Sequence, residues 1–274
     1  MKIARIRIDG KEFYSIHEKD GVKLIEDQVR NDLGIERFLL EDDFLQKVKL
    51  SDPIDISKHI EWLPPISRPG KIICIGRNYM EHITEQGKTP EGKPLLFSKY
   101  PSNMVGHKTS IDFPKHGKYL DYEVELAVII GKEMQRGSDP WDSIFGYTVA
   151  NDLTVRDVQK SEKQWTRGKA FDQSLPIGPW IVTADEIQNP KNLRIWLDVD
   201  GERRQEAVTS QMIYPIDQLL TFISEAITLY PGDIVLTGTP SGVGYYMEPK
   251  QTLQRGSKVV CGVEGIGTLE FHIR

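Results

Sequence analysis

The run Asp121-Tyr-Glu-Val-Glu-Leu-Ala-Val-Ile-Ile-Gly131 carries the two-residue period of a β-strand. Tyr122, Val124, Leu126, Val128 and Ile130 make one uniformly apolar face, which predicts a core strand and fixes its orientation. Glu123 and Glu125 then stand side by side on the other face, roughly 7 Å apart. Adjacent carboxylates repel unless something positive lies between or above them, and a hard divalent ion would serve. The other reading is a pair of solvated acids on an exposed strand face.

Downstream, Val149-Ala-Asn-Asp-Leu-Thr-Val-Arg-Asp-Val-Gln159 leads from an apolar strand, Tyr147 to Ala150, into an expected helix with Asn151 as N-cap and Asp152 in the first turn. At i, i+4 and i+7, Asp152, Arg156 and Gln159 would share one helical face. Asp152 thus offers a third carboxylate, although an acid near a helix N-terminus is also explained by the helix dipole alone. Three carboxylates with few other ligands suit Mg2+ or Mn2+ rather than structural zinc.

Upstream, Gly76-Arg-Asn-Tyr-Met-Glu-His-Ile-Thr-Glu85 follows a short apolar strand, and places His82 and Glu85 on one turn of helix. A carboxylate that orients an imidazole and stabilises its protonated form makes a general base; a surface ion pair has the same spacing. The Gly/Pro-rich Gln86–Pro94 segment beside it has the composition of a lid. Gly87-Lys88-Thr89 lacks the upstream glycine of a phosphate-binding loop, which excludes a P-loop. Lys99, Lys169 and the Thr237-Gly-Thr-Pro turn containing Thr239 each place an anion-binding group after an apolar strand. Each also reads as a solvated lysine or a tight turn.

The whole chain has 274 residues, 39% hydrophobic and 27% charged, enough for a substantial core. A formal charge of −5 without a long basic run argues against nucleic acid and for a small-molecule partner. Cys74 and Cys261 sit among apolar residues and glycine, as small core residues of a reducing compartment would. No segment is apolar enough to span a membrane or serve as a secretion signal, so a cytoplasmic protein is expected.

Strand signals at 2–8, 13–16 and 22–25, helical spacing between Asp27 and Lys49, and prolines 53, 64, 65 and 69 predict a small N-terminal α+β domain over 1–66. A larger domain over 70–274 is mostly β, with strand signals at 122–130, 178–183, 194–199, 233–237, 258–263 and 267–273. A second helix is expected from Pro215 to Leu229, with Leu219, Leu220, Phe222, Ile223, Ala226 and Ile227 on its core stripe. The absence of βα alternation points to a closed or rolled mixed sheet.

Six ordered motifs from Lys71 to Arg274 resemble the fumarylacetoacetate hydrolase family, in its branch of acylpyruvate hydrolases, oxaloacetate decarboxylases and hydroxymuconate-type isomerases. They are Gly76-Arg-Asn-Tyr with His82 and Glu85, Lys99-Tyr-Pro-Ser, Asp121-Tyr-Glu-Val-Glu125, Asn151-Asp152 with Arg156-Asp-Val-Gln159, Gly168-Lys-Ala-Phe-Asp172 and Thr237-Gly-Thr-Pro-Ser-Gly242. The resemblance implies a mixed β-sandwich roll, a homodimer, and an Mg2+ or Mn2+ ion held by Glu123, Glu125 and Asp152. It implies a water-activating His82–Glu85 dyad on a lid, with Lys169, Arg156, Gln159 and Thr239 contacting the carboxylate and oxo groups of an oxo acid, and Lys169 counted among the catalytic groups. Ser174-Leu-Pro-Ile-Gly-Pro-Trp180 departs from the Cys-Pro or Thr-Pro of many relatives. The expected activity is cleavage of the C–C bond of 2,4-dioxo acids through a metal-stabilised pyruvate enolate. Oxaloacetate decarboxylation and 2-hydroxyhepta-2,4-diene-1,7-dioate isomerisation pass through a related enolate. A non-catalytic oxo-acid-binding module is the reading from another class, and the intact dyad speaks against it.

Overall fold

Apolar runs punctuated by glycine and proline become strands through most of the chain. A computed structural model describes residues 1–18, 21–26, 48–54, 60–90 and 92–274. The helical spacing noted between Asp27 and Lys49 falls in residues 27–47, outside this set. Strands β1 (Lys2–Ile8), β2 (Lys11–Glu18) and β3 (Gly21–Leu24) run antiparallel in sequence. The β1–β2 turn uses Asp9 and Gly10 at φ 48° and 79°, the positive values a two-residue hairpin needs. There follow β4 (Glu61–Leu63), β5 (Ile72–Gly76), β6 (Leu95–Lys99), β7 (Met104–Val105), β8 (Thr109–Ile111), β9 (Leu120–Asp121), β10 (Val124–Ile130) and β11 (Ile144–Asn151). The last are β12 (Thr154–Val155), β13 (Leu175–Thr183), β14 (Arg194–Val199), β15 (Glu202–Val208), β16 (Ile234–Leu236), β17 (Lys258–Val263) and β18 (Gly267–Ile273). Four helices matter here: α1 (Met80–Glu85), α2 (Arg156–Ser161), α3 (Thr166–Lys169) and α4 (Ile216–Ser224).

The main sheet runs β3-β2-β1-β13-β11-β10-β16-β5-β6, with β4 also on β1 and β7 on β13. A second sheet runs β15-β14-β17-β18-β8, and β12 pairs with β9. The pairs β5/β16, β7/β13 and β8/β18 are parallel and the others antiparallel, so both large sheets are mixed. The expected mostly β, mixed-sheet architecture is the one observed. The N-terminal hairpin continues the main sheet, because β1 pairs with β13 through Lys2–Val182, Ile3–Ile181 and Ala4–Trp180.

Strand β10 is central and buried on both faces. Val124, Leu126, Val128 and Ile130 pack with Ile195, Leu197, Val259, Cys261, Leu269 and Phe271 of the second sheet and with Leu219 and Ile223 of α4. Its other face gives Ala127 and Ile129 to a second core with Ile72, Cys74, Ala150, Ile177 and Leu236. Burying this apolar area is the principal stabilising term. Both cysteines are buried and unpaired, as expected.

Three local expectations are corrected. The strand read over 121–131 is interrupted: β9 ends at Asp121 and β10 starts at Val124. Side chains replace the ladder there, since Glu123 N donates to Asn151 Oδ1 (3.2 Å) and Val124 N to Gln205 Oε1 (3.0 Å). Asn151 is no N-cap; it ends β11, and the helix begins only at Arg156, after β12. Asp152 therefore comes from a loop, whose amide donates to Glu123 O at 2.8 Å. The helix expected to Leu229 stops at Ser224 and leaves Ala226 and Ile227 exposed, because the chain must turn for Leu229 to pair with Met134. No helix among the described residues is long and apolar enough to cross a membrane.

Candidate active site

Where β10 meets β11, the kink at 122–123 and the loop after Asn151 bring Glu123, Glu125 and Asp152 together. One ligand oxygen from each lies within 4.8 Å of the others, and all three residues are buried. The reading of solvated acids is excluded, since Glu123 is 4% and Glu125 1% exposed. Gly238 secures Glu125: its amide donates to Glu125 Oε2 at 2.6 Å. At φ +96°, and with Asn78 Cβ 2.7 Å from where its own Cβ would stand, only glycine fits there.

Charge inside this cluster is paired residue by residue. Lys169 Nζ lies 2.6 Å from Glu123 Oε2 and 2.7 Å from Asp152 Oδ2. Arg156 Nε donates to Asp121 Oδ2 at 2.8 Å, and its Nη2 stands 2.7 Å from Glu123 Oε1. Asp121 Oδ1 accepts the amide of Gly244 at 2.8 Å, and Oδ2 also accepts that of Tyr245 at 3.1 Å. Lys99 is fully buried and commits its protons to the Ser174 carbonyl and Oγ (3.0 Å each) and the Lys169 carbonyl. It lies 2.8 Å from Asp152 Oδ1 without hydrogen-bond geometry, which leaves that oxygen without a donor among the described residues.

Four buried carboxylates (Asp121, Glu123, Glu125 and Asp152) thus face three buried cations (Lys99, Arg156 and Lys169), and among the described residues Glu125 is the one with no ion pair. The pKa directions follow. Burial pushes Glu125 well above the carboxylate range, with Asp152 and Glu123 adding repulsion. Burial also works to raise Glu123, but Lys169 and Arg156 outweigh it and hold that carboxyl low. Burial would lower Lys169; Asp152 and Glu123 reverse this and keep it an ammonium. An excess buried carboxylate beside an oxygen lacking a donor, in an all-oxygen set of three, fits a hard divalent cation.

Helix α1 carries the second group. Asn78 anchors its start by donating to the Tyr214 and Thr237 carbonyls at 3.0 and 2.8 Å. His82 Nδ1 bonds Glu85 Oε1 at 2.6 Å, while Nε2 meets the Gln86 amide nitrogen at 2.7 Å. With the amide donating, Nε2 is the acceptor nitrogen and Nδ1 carries the proton toward Glu85. Glu85 Oε2 in turn accepts the Gly242 amide at 2.9 Å. A surface ion pair is excluded, because His82 is buried.

A cavity of about 230 Å³ joins these groups, lined among others by His82, Gln86, Glu123, Arg156, Gln159 and Lys169. Thr239 also lines it and accepts from Gln205 Nε2 at 2.9 Å. Gly168 lets α3 press on α2, since a Cβ there would stand 2.7 Å from Gln159 N, and this contact places Lys169. Arg156 and Gln159 share a face of α2, joined at 3.1 Å. All nine residues expected at the site converge, although Asp152 arrives from a loop and Lys169 is ion-paired with two of the carboxylates. Sequence reasoning gave no role to Asp121 and treated Lys99 as a possible solvated lysine. The Asp121-x-Glu-x-Glu and Phe97-Ser-Lys99 patterns were visible, but their burial was not.

The description "Fumarylacetoacetate (FAA) hydrolase C-terminal" matches residues 71–274. Bos taurus mitochondrial oxaloacetate tautomerase FAHD2B is 41% identical over 221 residues, covering 79% of this chain and 70% of that protein. Among solved structures, a fumarylacetoacetate hydrolase from Exiguobacterium antarcticum superimposes with a TM-score of 0.87 at 34% identity, over 100% of this chain and 99% of that one. A Pseudomonas aeruginosa fumarylpyruvate hydrolase in complex with Mn2+ and pyruvate gives 0.69 at 32% identity, over 80% and 93%. With its mixed β-sandwich and this match over its larger part, the chain belongs to the fumarylacetoacetate hydrolase family.

Proposed function

We propose that this protein is a divalent-metal-dependent enzyme that interconverts the enol and keto forms of a 2-oxo acid. The observation that carries the reading is the buried Glu123–Glu125–Asp152 set and the His82–Glu85 dyad, which reach one cavity through Glu123 and His82. Sequence similarity to oxaloacetate tautomerases supports this reaction within the family's range. Glu123, Glu125 and Asp152 would hold Mg2+ or Mn2+, which supplies Lewis acidity toward negative charge developing on the substrate's C2 oxygen.

The chain's own residues do the rest. Lys169, held as an ammonium, binds the C1 carboxylate as a point charge, while Arg156, Gln159 and Thr239 fix the oxo end. His82 accepts a proton at Nε2 and returns it. In the direction of ketonisation it takes the proton of the C2 hydroxyl and delivers it to C3, so the reaction is balanced without a co-reactant. Glu85 keeps the imidazole in the tautomer that leaves Nε2 basic and stabilises the imidazolium between the two transfers.

A second reading, hydrolysis of the C–C bond of an acylpyruvate, is supported by the same dyad and by the likeness to fumarylpyruvate hydrolase. There His82 would activate water for attack at C4, expelling a pyruvate enol. Both are tested together: decay of enol oxaloacetate by ultraviolet absorbance, and pyruvate release from an acylpyruvate, each with Mg2+ and with Mn2+. The proposal expects enol decay above the uncatalysed rate. It also expects a loss of roughly 10²-fold in kcat for His82→Ala with metal affinity retained. Pyruvate release without enol decay would establish the second reading instead; neither reaction would overturn both.

A further inference from the structure

The cavity does not end at the groups used above. Its outer part is walled by Arg77, Lys88, Lys160, Glu162, Trp165 and Tyr246. Glu162 is ion-paired with Arg167, so this acid is already neutralised. Lys160 makes no ion pair among the described residues. Its Nζ instead lies 4.8 Å from the ring centroid of Tyr245 and 5.2 Å from that of Tyr246. Rings hold an ammonium in place without cancelling its charge as a carboxylate would.

Helix α2 sets the geometry. Arg156, Gln159 and Lys160 are at i, i+3 and i+4, so they lie on one face, and all three line the cavity. The buried Arg156 is at the deep end and the exposed Lys160 is one turn on, roughly 6 Å along the axis. That step is the span of a short carbon chain. From a different element, directly after β5, Arg77 brings a guanidinium to the same outer wall, stacked 5.4 Å from the Trp165 ring. Arg77 is a non-glycine residue at φ +58°, a strained conformation that persists where surrounding structure imposes it. Phe97 meets Trp165 edge-on at 5.5 Å and stiffens that platform.

We propose that Lys160 and Arg77 form a second anion subsite that binds the far carboxylate of the substrate, so that the enzyme selects oxo-dicarboxylates over oxo acids with a neutral tail. This rests on the near end binding as described under Proposed function. A guanidinium binds a carboxylate with two parallel hydrogen bonds, and the ammonium adds a point charge. The subsite touches no reacting atom, so its contribution is to binding and selectivity.

The test compares wild type, Lys160→Gln and Lys160→Glu, all saturated with Mg2+, on oxaloacetate and its C4 monomethyl ester. The ratio of kcat/KM for diacid over ester should fall roughly tenfold in Lys160→Gln, mainly through KM, and further in Lys160→Glu. Arg77→Gln should move the same ratio in the same direction. In parallel, calorimetric titration with 2-oxoglutarate and its C5 monomethyl ester reads the subsite without turnover. If binding shows the charge-dependent preference but no substrate is converted, the subsite stands and the catalytic reading fails. If substrate is converted and the ratio is the same in all variants, the subsite is wrong while the catalytic reading survives.

Discussion

Two regions of this molecule bury titratable groups, and they do so in opposite ways. At the cavity, Asp121, Glu123, Asp152, Lys99, Arg156 and Lys169 are buried in ion pairs, each beside partners of opposite sign. Where the N-terminal strands join β13, two partly buried histidines are held as neutral rings. His17 packs 5.5 Å from Trp62 and 5.3 Å from Trp180, and His107 meets Trp62 edge-on at 5.5 Å. Burying ions costs more free energy than it returns unless every partner is in place. A neutral ring needs only ordinary hydrogen bonds beside its apolar contacts: His17 Nε2 lies 3.2 Å from Ser15 Oγ, and His107 Nδ1 accepts the Glu270 amide. The joint uses the economical device, whereas the cavity keeps an expensive one whose excess carboxylate, Glu125, a bound cation would balance.

That contrast breaks first at Glu125. If Glu125 serves a metal, Glu125→Gln should abolish detectable Mg2+ and Mn2+ binding by calorimetry. It should lower kcat roughly 10³-fold, the several kcal/mol a Lewis acid supplies. The metal-free protein should melt no lower than its parent, because the substitution removes a carboxyl whose charged form burial and two acids already oppose. A large loss of metal-free stability with metal affinity intact would make Glu125 a structural ion like its neighbours.

A sharper version separates the paired ions from Glu125 by stability alone. Arg156→Met leaves Asp121 and Glu123 buried with one cation fewer, which should cost about 3–5 kcal/mol. For a chain of this size the melting temperature then falls by roughly 10 °C. Adding Glu123→Gln to Arg156→Met should recover part of the loss, since the two residues are coupled. Strictly additive losses in the double variant would show that the 2.7 Å approach of Arg156 to Glu123 carries no energy.

The same contrast explains what could be read in the chain. Alternation made β10 legible, and the apolar parity of Tyr122 to Ile130 was enough to orient it. Glu123 and Glu125 were legible as a pair because like charges two apart on a strand require an explanation. The interruption at 122–123 was not, because it is caused by partners distant in sequence: Asn151 and Gln205 capture the amides that would otherwise continue the ladder. For the same reason the helix begins four residues later than the expected start at Asp152. Asn151 has the composition of an N-cap, but its side chain serves Glu123 across the sheet. Lys99 and Asp121 illustrate a further limit. A charged residue beside an apolar run looks the same whether it is solvated or sealed, and only tertiary pairing with Asp152 or Arg156 distinguishes the two.

The smallest effect is expected at the histidine joint, and it depends on pH. Burial, with Lys2 adding repulsion, pushes His17 down to about 4. Burial and Lys108 do the same to His107, again to about 4, with Glu270 acting the other way. His107 Nδ1 also accepts the Glu270 amide at 3.1 Å, a bond that requires the unprotonated nitrogen. A depressed histidine pKa means that the unfolded chain binds the proton first. Stability is therefore complete above the ordinary value near 6.5, declines as pH falls from there toward 4, and levels off below. Discounted for partial exposure, the loss between about pH 7.5 and about pH 5.5 is on the order of 1–2 kcal/mol, a few degrees in melting temperature. Most carboxylates titrate near 4 in the unfolded chain and contribute little in that window; Glu125, whose carboxyl burial raises, gains stability as pH falls, and this contribution is common to parent and variant. Thermal melts of the parent and of a His17→Gln/His107→Gln variant across this range separate the contribution. Relative to the variant, the parent should lose stability toward the acid end. Parallel profiles would mean that the two rings take up protons in the folded state as readily as in the unfolded chain, and that the joint does not hold them neutral.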